Sequence, residues 1–117
     1  MESSQSFSAP PHGISPAALA GVRVVEMGQL IAGPFCGKTL GEFGADVIKI
    51  EAPETGDPLR NWRLIKEGTS VWWQVQSRNK RSVALDLRAP EAQAIVRQLA
   101  AEADVLIENF RPGALEA

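Results

Sequence analysis

The sequence predicts an α/β fold in which a parallel β-sheet is flanked by helices, as in the Rossmann-like, doubly wound class. Three observations carry this prediction: four short runs rich in β-branched residues, one amphipathic segment between the first two runs, and another between the last two. A strand, helix, strand order that occurs twice implies two right-handed crossovers and hence a parallel sheet. The chain has 117 residues, 44% of them hydrophobic, so a packed core is expected.

The predicted strands are residues 22–27, 46–51, 83–87 and 104–108. The first helix is predicted at residues 34–43, because Pro34 suits a first helical position and Gly44 suits the position after the end. Its inward face is expected to carry Cys36, Leu40 and Phe43. The second helix is predicted at residues 90–103, with an apolar face of Ala92, Ile95, Val96, Leu99, Ala100 and Ala103.

Residues 52–82, here called the tryptophan segment, show no long stretch of the apolar periodicity typical of a helix or of a strand. They contain Trp62, Trp72 and Trp73, which indicate an ordered, loop-rich segment with one short element near residues 70–76. Residues 60–88 carry seven basic and two acidic side chains, a local charge of +5. Two interpretations stay open: an ordinary solvated face, or a site for a small polyanion.

Composition excludes several classes of protein. The net charge of −2 argues against nucleic acid as a partner, and charged residues interrupt every apolar run before it could cross a membrane. Residues 1–18 are rich in Ser and Pro and are expected to form a flexible tail that precedes a domain at residues 19–117. No basic or apolar leader pattern is present, so the cytoplasm is the expected location.

The sequence places polar and turn-forming residues after three of the predicted strands. These stretches are residues 28–34, 86–88 and 109–113. Parallel sheets bind ligands at the carboxyl ends of their strands, and a helix N-terminus after the first strand offers free N–H groups to an anion. Convergence at one edge favours a binding site over three unrelated turns.

Three other candidate sites are weak. Ala32 to Thr39 fits a loose phosphate-binding loop, but a helix that began at Lys38 would be too short, so we expect no nucleotide triphosphate site there. Cys36 is expected to be a small buried hydrophobe, since no His or basic partner stands beside it. No cluster of metal ligands is visible, and spacing does not single out a catalytic carboxylate.

Five segments, taken in order, resemble the N-terminal part of family III CoA-transferases, a group that includes formyl-CoA transferase, carnitine CoA-transferase and α-methylacyl-CoA racemase. They are LAGVRVVE (19–26), AGPFC (32–36), FGADVIKIE (43–51), NKRSVALDL (79–87) and ADVLIENFRPG (103–113). The resemblance implies a partial Rossmann-like large domain. Members are several times longer than this chain, and their nucleophilic aspartate lies after the last of these motifs.

The resemblance also implies which residues contact coenzyme A. They are Ile31 and Ala32 after the first strand, Leu85, Asp86, Leu87 and Arg88 at the end of the third, around the adenine and ribose-phosphate portion of CoA, and Asn109, Phe110 and Arg111 after the fourth. No catalytic residue and no metal are implied within the chain. Ile31 stands where formyl-CoA transferase has glutamine, which argues against oxalate and formate as substrates, and Ala52 stands where some members have arginine.

The function implied is transfer of CoA from an acyl-CoA to a free carboxylic acid through an aspartyl intermediate, in an interlocked homodimer. Two alternatives stay open. An α-methylacyl-CoA racemase uses the same fold for proton transfer next to the thioester. The 117 residues alone are also compatible with a non-catalytic fragment or nucleotide-binding module.

Overall fold

The computed structural model describes residues 16–117 and contains the predicted parallel sheet. Its four strands are β1 (Arg23–Glu26), β2 (Asp46–Glu51), β5 (Lys80–Ala84) and β6 (Val105–Ile107), in the spatial order β5-β2-β1-β6. All three neighbouring pairs are parallel. The predicted α/β class is therefore confirmed, while the first 15 residues of the predicted tail lie outside the described residues.

The third predicted strand was wrong in position. We expected residues 83–87, whereas β5 covers Lys80–Ala84 and pairs Lys80 with Val47 and Ala84 with Glu51. Lys80 and Arg81 do not break this strand because both charges are paired: the exposed Arg81 contacts Asp46, and the buried Lys80 contacts Glu26. Residues 85–88 consequently belong to the loop after the strand.

Helix α1 (Ala32–Glu42) lies between β1 and β2 as predicted, but of its predicted inward face only Leu40 packs against the core. Cys36 is exposed, Phe43 is 55% exposed, and the buried residues are Gly33, Pro34, Gly37 and Gly41. Glycines at intervals of four residues let the helix backbone approach the sheet closely. A Cβ on Gly37 would collide with the carboxylate of Glu26. The prediction that Cys36 is a buried hydrophobe is therefore wrong.

Helix α3 (Pro90–Glu102) covers one face of the sheet. Val96, Leu99 and Ala103 pack against a core of Val25, Met27 and Ile50. Of the other residues of the expected apolar face, Ala92 is buried, Ala100 is half-buried and Ile95 is 43% exposed. The opposite face of the sheet has its own core, built from Val24, Ala45, Val47 and Ile107.

The tryptophan segment is ordered, as predicted. It contains a 3-10 helix (Pro58–Asn61), a short antiparallel pair of β3 (Ile65–Lys66) and β4 (Thr69–Ser70), and α2 (Val71–Gln76). Ser70 Oγ accepts a hydrogen bond from Trp73 N (3.2 Å) and donates one to Trp62 O (2.8 Å). The Trp62 and Trp72 rings pack edge to face, with their centroids 5.5 Å apart.

Candidate functional site

A crevice of about 530 Å³ opens at the carboxyl ends of the four parallel strands. The loops after all four strands line it: Met27 and Gln29 after β1, residues 52–55 after β2, residues 85–88 after β5, and Phe110 after β6; Ile50 and Glu51 at the end of β2 also line it. An open parallel sheet binds ligands at this edge. The crevice is the candidate site.

Five of the nine predicted contact residues line this crevice, namely Leu85, Asp86, Leu87, Arg88 and Phe110. Ile31 and Ala32 are exposed beside it, at the start of α1. Within the described residues no side chain caps the α1 N-terminus, so the N–H groups of Ala32 and Gly33 have no side-chain acceptor. Arg111 is exposed and lies outside the crevice lining.

Asp86 and Arg88 form an ion pair on the rim of the crevice. Arg88 Nε lies 2.9 Å from Asp86 Oδ1, and a second guanidinium nitrogen lies 2.9 Å from Oδ2. Hydrogen bonds from the Arg88 side chain and backbone lower the pKa of Asp86, and the same side-chain bond raises the pKa of Arg88. The Arg88 side chain is 91% exposed, so its guanidinium is accessible to an anionic ligand.

The turn between β1 and α1, residues 28–31, is here called the first turn, and it is held on one side by Asn109. Asn109 Oδ1 accepts from Gln29 N (2.7 Å), and Asn109 Nδ2 donates to Gln29 O (2.9 Å). Both functional groups of the Asn109 amide therefore bind the first turn. The family resemblance implies only a contact with CoA for Asn109, and no contact with the first turn.

Four charged side chains lie buried beneath the first turn and form what we call the buried ion cluster: Glu26, Lys49, Asp57 and Lys80. Lys49 Nζ lies 2.6 Å from Glu26 and 2.8 Å from Asp57, and Lys80 Nζ lies 2.7 Å from the other oxygen of Glu26. Each side chain is at most 3% exposed. Burial lowers the pKa of Lys80 against the opposing effect of Glu26. The charges balance, two of each sign.

Glu51, at the end of β2, fastens the tryptophan segment to the sheet. It accepts hydrogen bonds from Asp57 N (2.8 Å), Arg60 Nε (2.7 Å) and Ser82 Oγ (2.6 Å). Burial alone raises the pKa of Glu51, but these hydrogen bonds outweigh it and lower the pKa from 4.5 to about 2. Arg60 also lies over the Trp73 ring, 4.0 Å from its centroid.

Sequence reasoning missed the buried ion cluster, although one signal is present in the sequence. Lys49 lies between Ile48 and Ile50 in a strand of a parallel sheet. Helices cover both faces of such a sheet, so a charged side chain in this strand needs an oppositely charged partner. Glu26 is opposite Lys49 in the register of β1 and β2. With the strand order known, the two charges form an obvious pair.

The basic residues of 60–88 do not gather into one anion site. Arg78 pairs with Glu42 at 2.7 Å, and Arg81 pairs with Asp46 at the amino ends of the strands. Lys80 is buried beneath the first turn, while Arg88 stands on the crevice rim. Of the two interpretations of the local charge, neither a single polyanion site nor a uniformly solvated face describes this arrangement.

The phosphate-binding loop is excluded, as predicted, because Lys38 and Thr39 lie inside α1. Lys38 Nζ lies 3.8 Å from Glu42, and Thr39 Oγ1 donates to Phe35 O within the same helix. Among residues 16–117 no group of three or more His, Cys, Asp or Glu side chains is placed to hold a metal ion. No helix in this part of the chain has the length and apolarity needed to cross a membrane.

Known proteins resemble this chain in sequence and in structure. The model for CoA-transferase family III matches residues 19–117. A succinyl-CoA–D-citramalate CoA-transferase from Chloroflexus aurantiacus is 53% identical over 102 residues, which are 86% of this chain and 25% of that protein. Human succinyl-CoA:glutarate CoA-transferase is 41% identical over 100 residues, covering 85% of this chain and 23% of its own length.

A crystal structure of a CaiB/BaiF family protein from Brucella suis superimposes with a TM-score of 0.79 at 44% identity, covering 87% of this chain and 28% of that one. A Mycobacterium tuberculosis protein gives a TM-score of 0.78 at 39% identity, covering 87% and 29%. The chain thus spans about a quarter of the length of the curated relatives it matches.

Proposed function

The chain belongs to CoA-transferase family III, and from that membership we propose that its protein transfers CoA from an acyl-CoA to a free carboxylic acid. The observation that carries the proposal is the crevice of about 530 Å³ at the carboxyl ends of all four strands, in a chain 53% identical to a CoA-transferase. Within that enzyme, residues 19–117 are proposed to supply the N-terminal part of the large domain and its CoA-binding segment.

We assign the CoA contacts to three loops. Ile31 and Ala32 offer the uncapped N-terminus of α1, where the helix dipole and free N–H groups favour negative charge. Residues 85–88 present apolar surface and the exposed Arg88 guanidinium, which suit the adenosine and phosphate portions of CoA. Residues 109–111 add the Phe110 ring at the crevice and the exposed charge of Arg111.

The proposed chemistry is covalent catalysis by an aspartate. Its carboxylate attacks the thioester carbon and expels CoA thiolate, which leaves a mixed anhydride. The thiolate then attacks the aspartyl carbonyl, releasing the donor acid and forming an aspartyl-CoA thioester. The acceptor carboxylate then attacks the aspartyl-CoA thioester, which expels CoA thiolate and gives a second mixed anhydride. The thiolate attacks the acyl carbon of the acceptor, which releases the new acyl-CoA and regenerates the aspartate.

We place the nucleophile outside these 117 residues, because no aspartate of the chain is suited to attack. Asp46 and Asp104 lie at the amino ends of strands, and Asp57 is buried against Lys49. Asp86 is paired with Arg88. A purified 117-residue chain should therefore transfer no CoA, whereas activity that disappears on substitution of one of these four aspartates would contradict the assignment.

The relatives favour a substrate class. The Chloroflexus and human proteins are named for succinyl-CoA with citramalate and glutarate, so we propose succinyl-CoA as donor and a small dicarboxylic acid as acceptor. The same names favour a transferase over a racemase. We further propose an interlocked homodimer in the cytoplasm, where the exposed thiol of Cys36 stays reduced.

The test uses protein expressed from the complete reading frame. Calorimetric titration should detect CoA binding, and CoA should pass from succinyl-CoA to citramalate, malate or glutarate, with the products identified by mass spectrometry. Binding of Mg-ATP that is abolished by Lys38→Ala, without any binding of CoA, would contradict the proposal. Epimerisation of a 2-methylacyl-CoA without transfer would favour the racemase.

A further inference from the structure

The first turn has a backbone that its own residues do not favour. Leu30 adopts φ +66°, a left-handed conformation that residues other than glycine, asparagine and aspartate seldom adopt. Gly28 approaches Gly33 so closely that a Cβ on Gly28 would lie 2.7 Å from Gly33 Cα. Such a conformation persists only when the surrounding structure holds it. The contacts of the first turn therefore decide its shape.

Opposite Asn109, the first turn is held by two members of the buried ion cluster. Lys49 Nζ donates to Gly28 O at 3.0 Å, and Asp57 Oδ1 accepts from Leu30 N at 3.0 Å. Lys49 and Asp57 are themselves paired at 2.8 Å. One ion pair thus fixes a carbonyl at the start of the turn and an N–H near its end.

Lys49 is central to this arrangement because its ammonium group contacts both carboxylates and the first turn. It donates hydrogen bonds to Glu26 Oε2 (2.6 Å) and Gly28 O (3.0 Å), and it forms an ion pair with Asp57 Oδ2 at 2.8 Å. An apolar side chain of similar volume often stabilises a core as well as a buried ion pair does, and Lys49 has isoleucine on either side along the strand. What an apolar residue could not supply is the connection to the first turn.

We infer that Lys49 is a positioning residue: held between Glu26 and Asp57, it fixes the first turn so that Ile31, Ala32 and the α1 N-terminus are aligned to receive acyl-CoA. The inference rests on the proposed function for its consequence, since the first turn borders the crevice through Gln29. Lys49 acts through the backbone of the turn and touches no substrate.

The test is Lys49→Met in protein expressed from the complete reading frame. Two quantities are measured: the KM for succinyl-CoA, and the hydrogen-exchange rate of the Leu30 amide relative to that of Val25 within β1. We expect the KM to rise at least about tenfold, because an unfixed turn must be ordered on binding. The Leu30 amide should exchange at least about tenfold faster through local opening of the turn, while the Val25 amide, which exchanges through global unfolding, reports the accompanying loss of overall stability.

The KM separates positioning from a purely structural role. Loss of folded molecules lowers the apparent kcat but leaves the KM of the remaining enzyme unchanged. Ser82→Ala is the matched control, since it removes the 2.6 Å bond to the neighbouring carboxylate of Glu51 and touches no atom of the first turn. Its KM and its Leu30 exchange should equal those of the wild type.

Should Lys49→Met fail to fold, the charge-balanced variant Lys49→Met/Asp57→Asn also lacks the bond to Gly28 O and takes its place. A folded variant with unchanged KM, or with unchanged Leu30 exchange, overturns the inference. A wild type that neither binds CoA nor transfers it overturns the proposed function instead. The Leu30 exchange then decides by itself whether Lys49 positions the turn.

Discussion

Two ion pairs at opposite ends of the same sheet have equal lengths and opposite surroundings. Lys49 and Glu26 meet at 2.6 Å near the carboxyl ends of the strands, with side chains 1% and 0% exposed. Arg81 and Asp46 also meet at 2.6 Å, at the amino ends, with side chains 67% and 49% exposed. Distance alone therefore says little about what an ion pair contributes.

The difference in burial separates the two roles. An exposed pair gains little because water screens its charges and both side chains lose freedom. A buried pair cannot lose one member without leaving an uncompensated charge in the interior. The buried ion cluster lies directly beneath the first turn. The charges that are most costly to remove one at a time therefore lie beside the candidate site.

Removing one charge from each pair should show the largest contrast. Lys49→Met is expected to lower the free energy of unfolding by about 3 to 5 kcal/mol, because Glu26 and Asp57 stay buried without their shared cation. Arg81→Met should lower it by about 1 kcal/mol or less. Urea unfolding followed by tryptophan fluorescence measures both, and equal losses would break the comparison.

Acid titration tests the second buried carboxylate. The pKa of Glu51 is lowered from 4.5 to about 2 in the folded protein, so its stabilisation is fully present above pH 4.5 and is lost as the pH falls through 2. Glu51→Gln should remove a contribution on the order of 1 to 3 kcal/mol, allowing for partial solvent screening. Unfolding free energies between pH 2 and 5 should therefore vary less steeply in the variant.

Asp86→Asn is the exposed counterpart for this titration. Asp86 also has a lowered pKa, from its hydrogen bonds with Arg88, but its partner is 91% exposed. The unfolding free energy of Asp86→Asn should therefore depend on pH between 2 and 5 as that of the wild type does. If Asp86→Asn flattened the pH dependence as much as Glu51→Gln, burial would not be the property that distinguishes the two regions.

The fold could be predicted from sequence because it follows from apolar periodicity. β2 was predicted to the residue, and the bounds of α3 were wrong by one residue. The inward face of α1 could not be found by the same reasoning, since a search for apolar side chains passes over glycine. Gly33, Gly37 and Gly41 bury that face by having no side chain.

The candidate site was only partly predictable. Parallel topology brings strand ends together, which is why residues 85–88 and Phe110 meet at one crevice. The buried ion cluster depends on strand order and on the path of the tryptophan segment, which brings Asp57 against Lys49. Local sequence patterns reveal neither the strand order nor the path of this segment. From the sequence alone, Glu26 and Lys49 are therefore only charged residues that interrupt apolar runs.

Gly37 sharpens the comparison, because it makes room for the carboxylate of Glu26. Alanine normally stabilises an exposed helix position relative to glycine by about 1 kcal/mol. Here the added Cβ meets Glu26 Oε1, so Gly37→Ala should instead destabilise by about 1 to 3 kcal/mol. The exposed neighbour Cys36→Ala should stay within about 0.5 kcal/mol of the wild type. A stabilised Gly37→Ala protein would contradict the packing described.

The smallest effect on stability is expected for Arg88 and Arg111, whose exposed charges are proposed to bind CoA. A charge-assisted contact with phosphate contributes about 1.5 to 3 kcal/mol, so Arg88→Ala and Arg111→Ala should each raise the KM for acyl-CoA about tenfold or more. Unfolding free energies should not change, because exposed arginines stabilise little.

Arg81→Ala, at the far end of the sheet, is the control and should leave the KM unaltered. Added salt should raise the KM of the wild type more than that of Arg88→Ala or Arg111→Ala, since screening weakens only a contact that is present. Equal KM values and equal salt responses in all four proteins would reduce Arg88 and Arg111 to surface charges like Arg81.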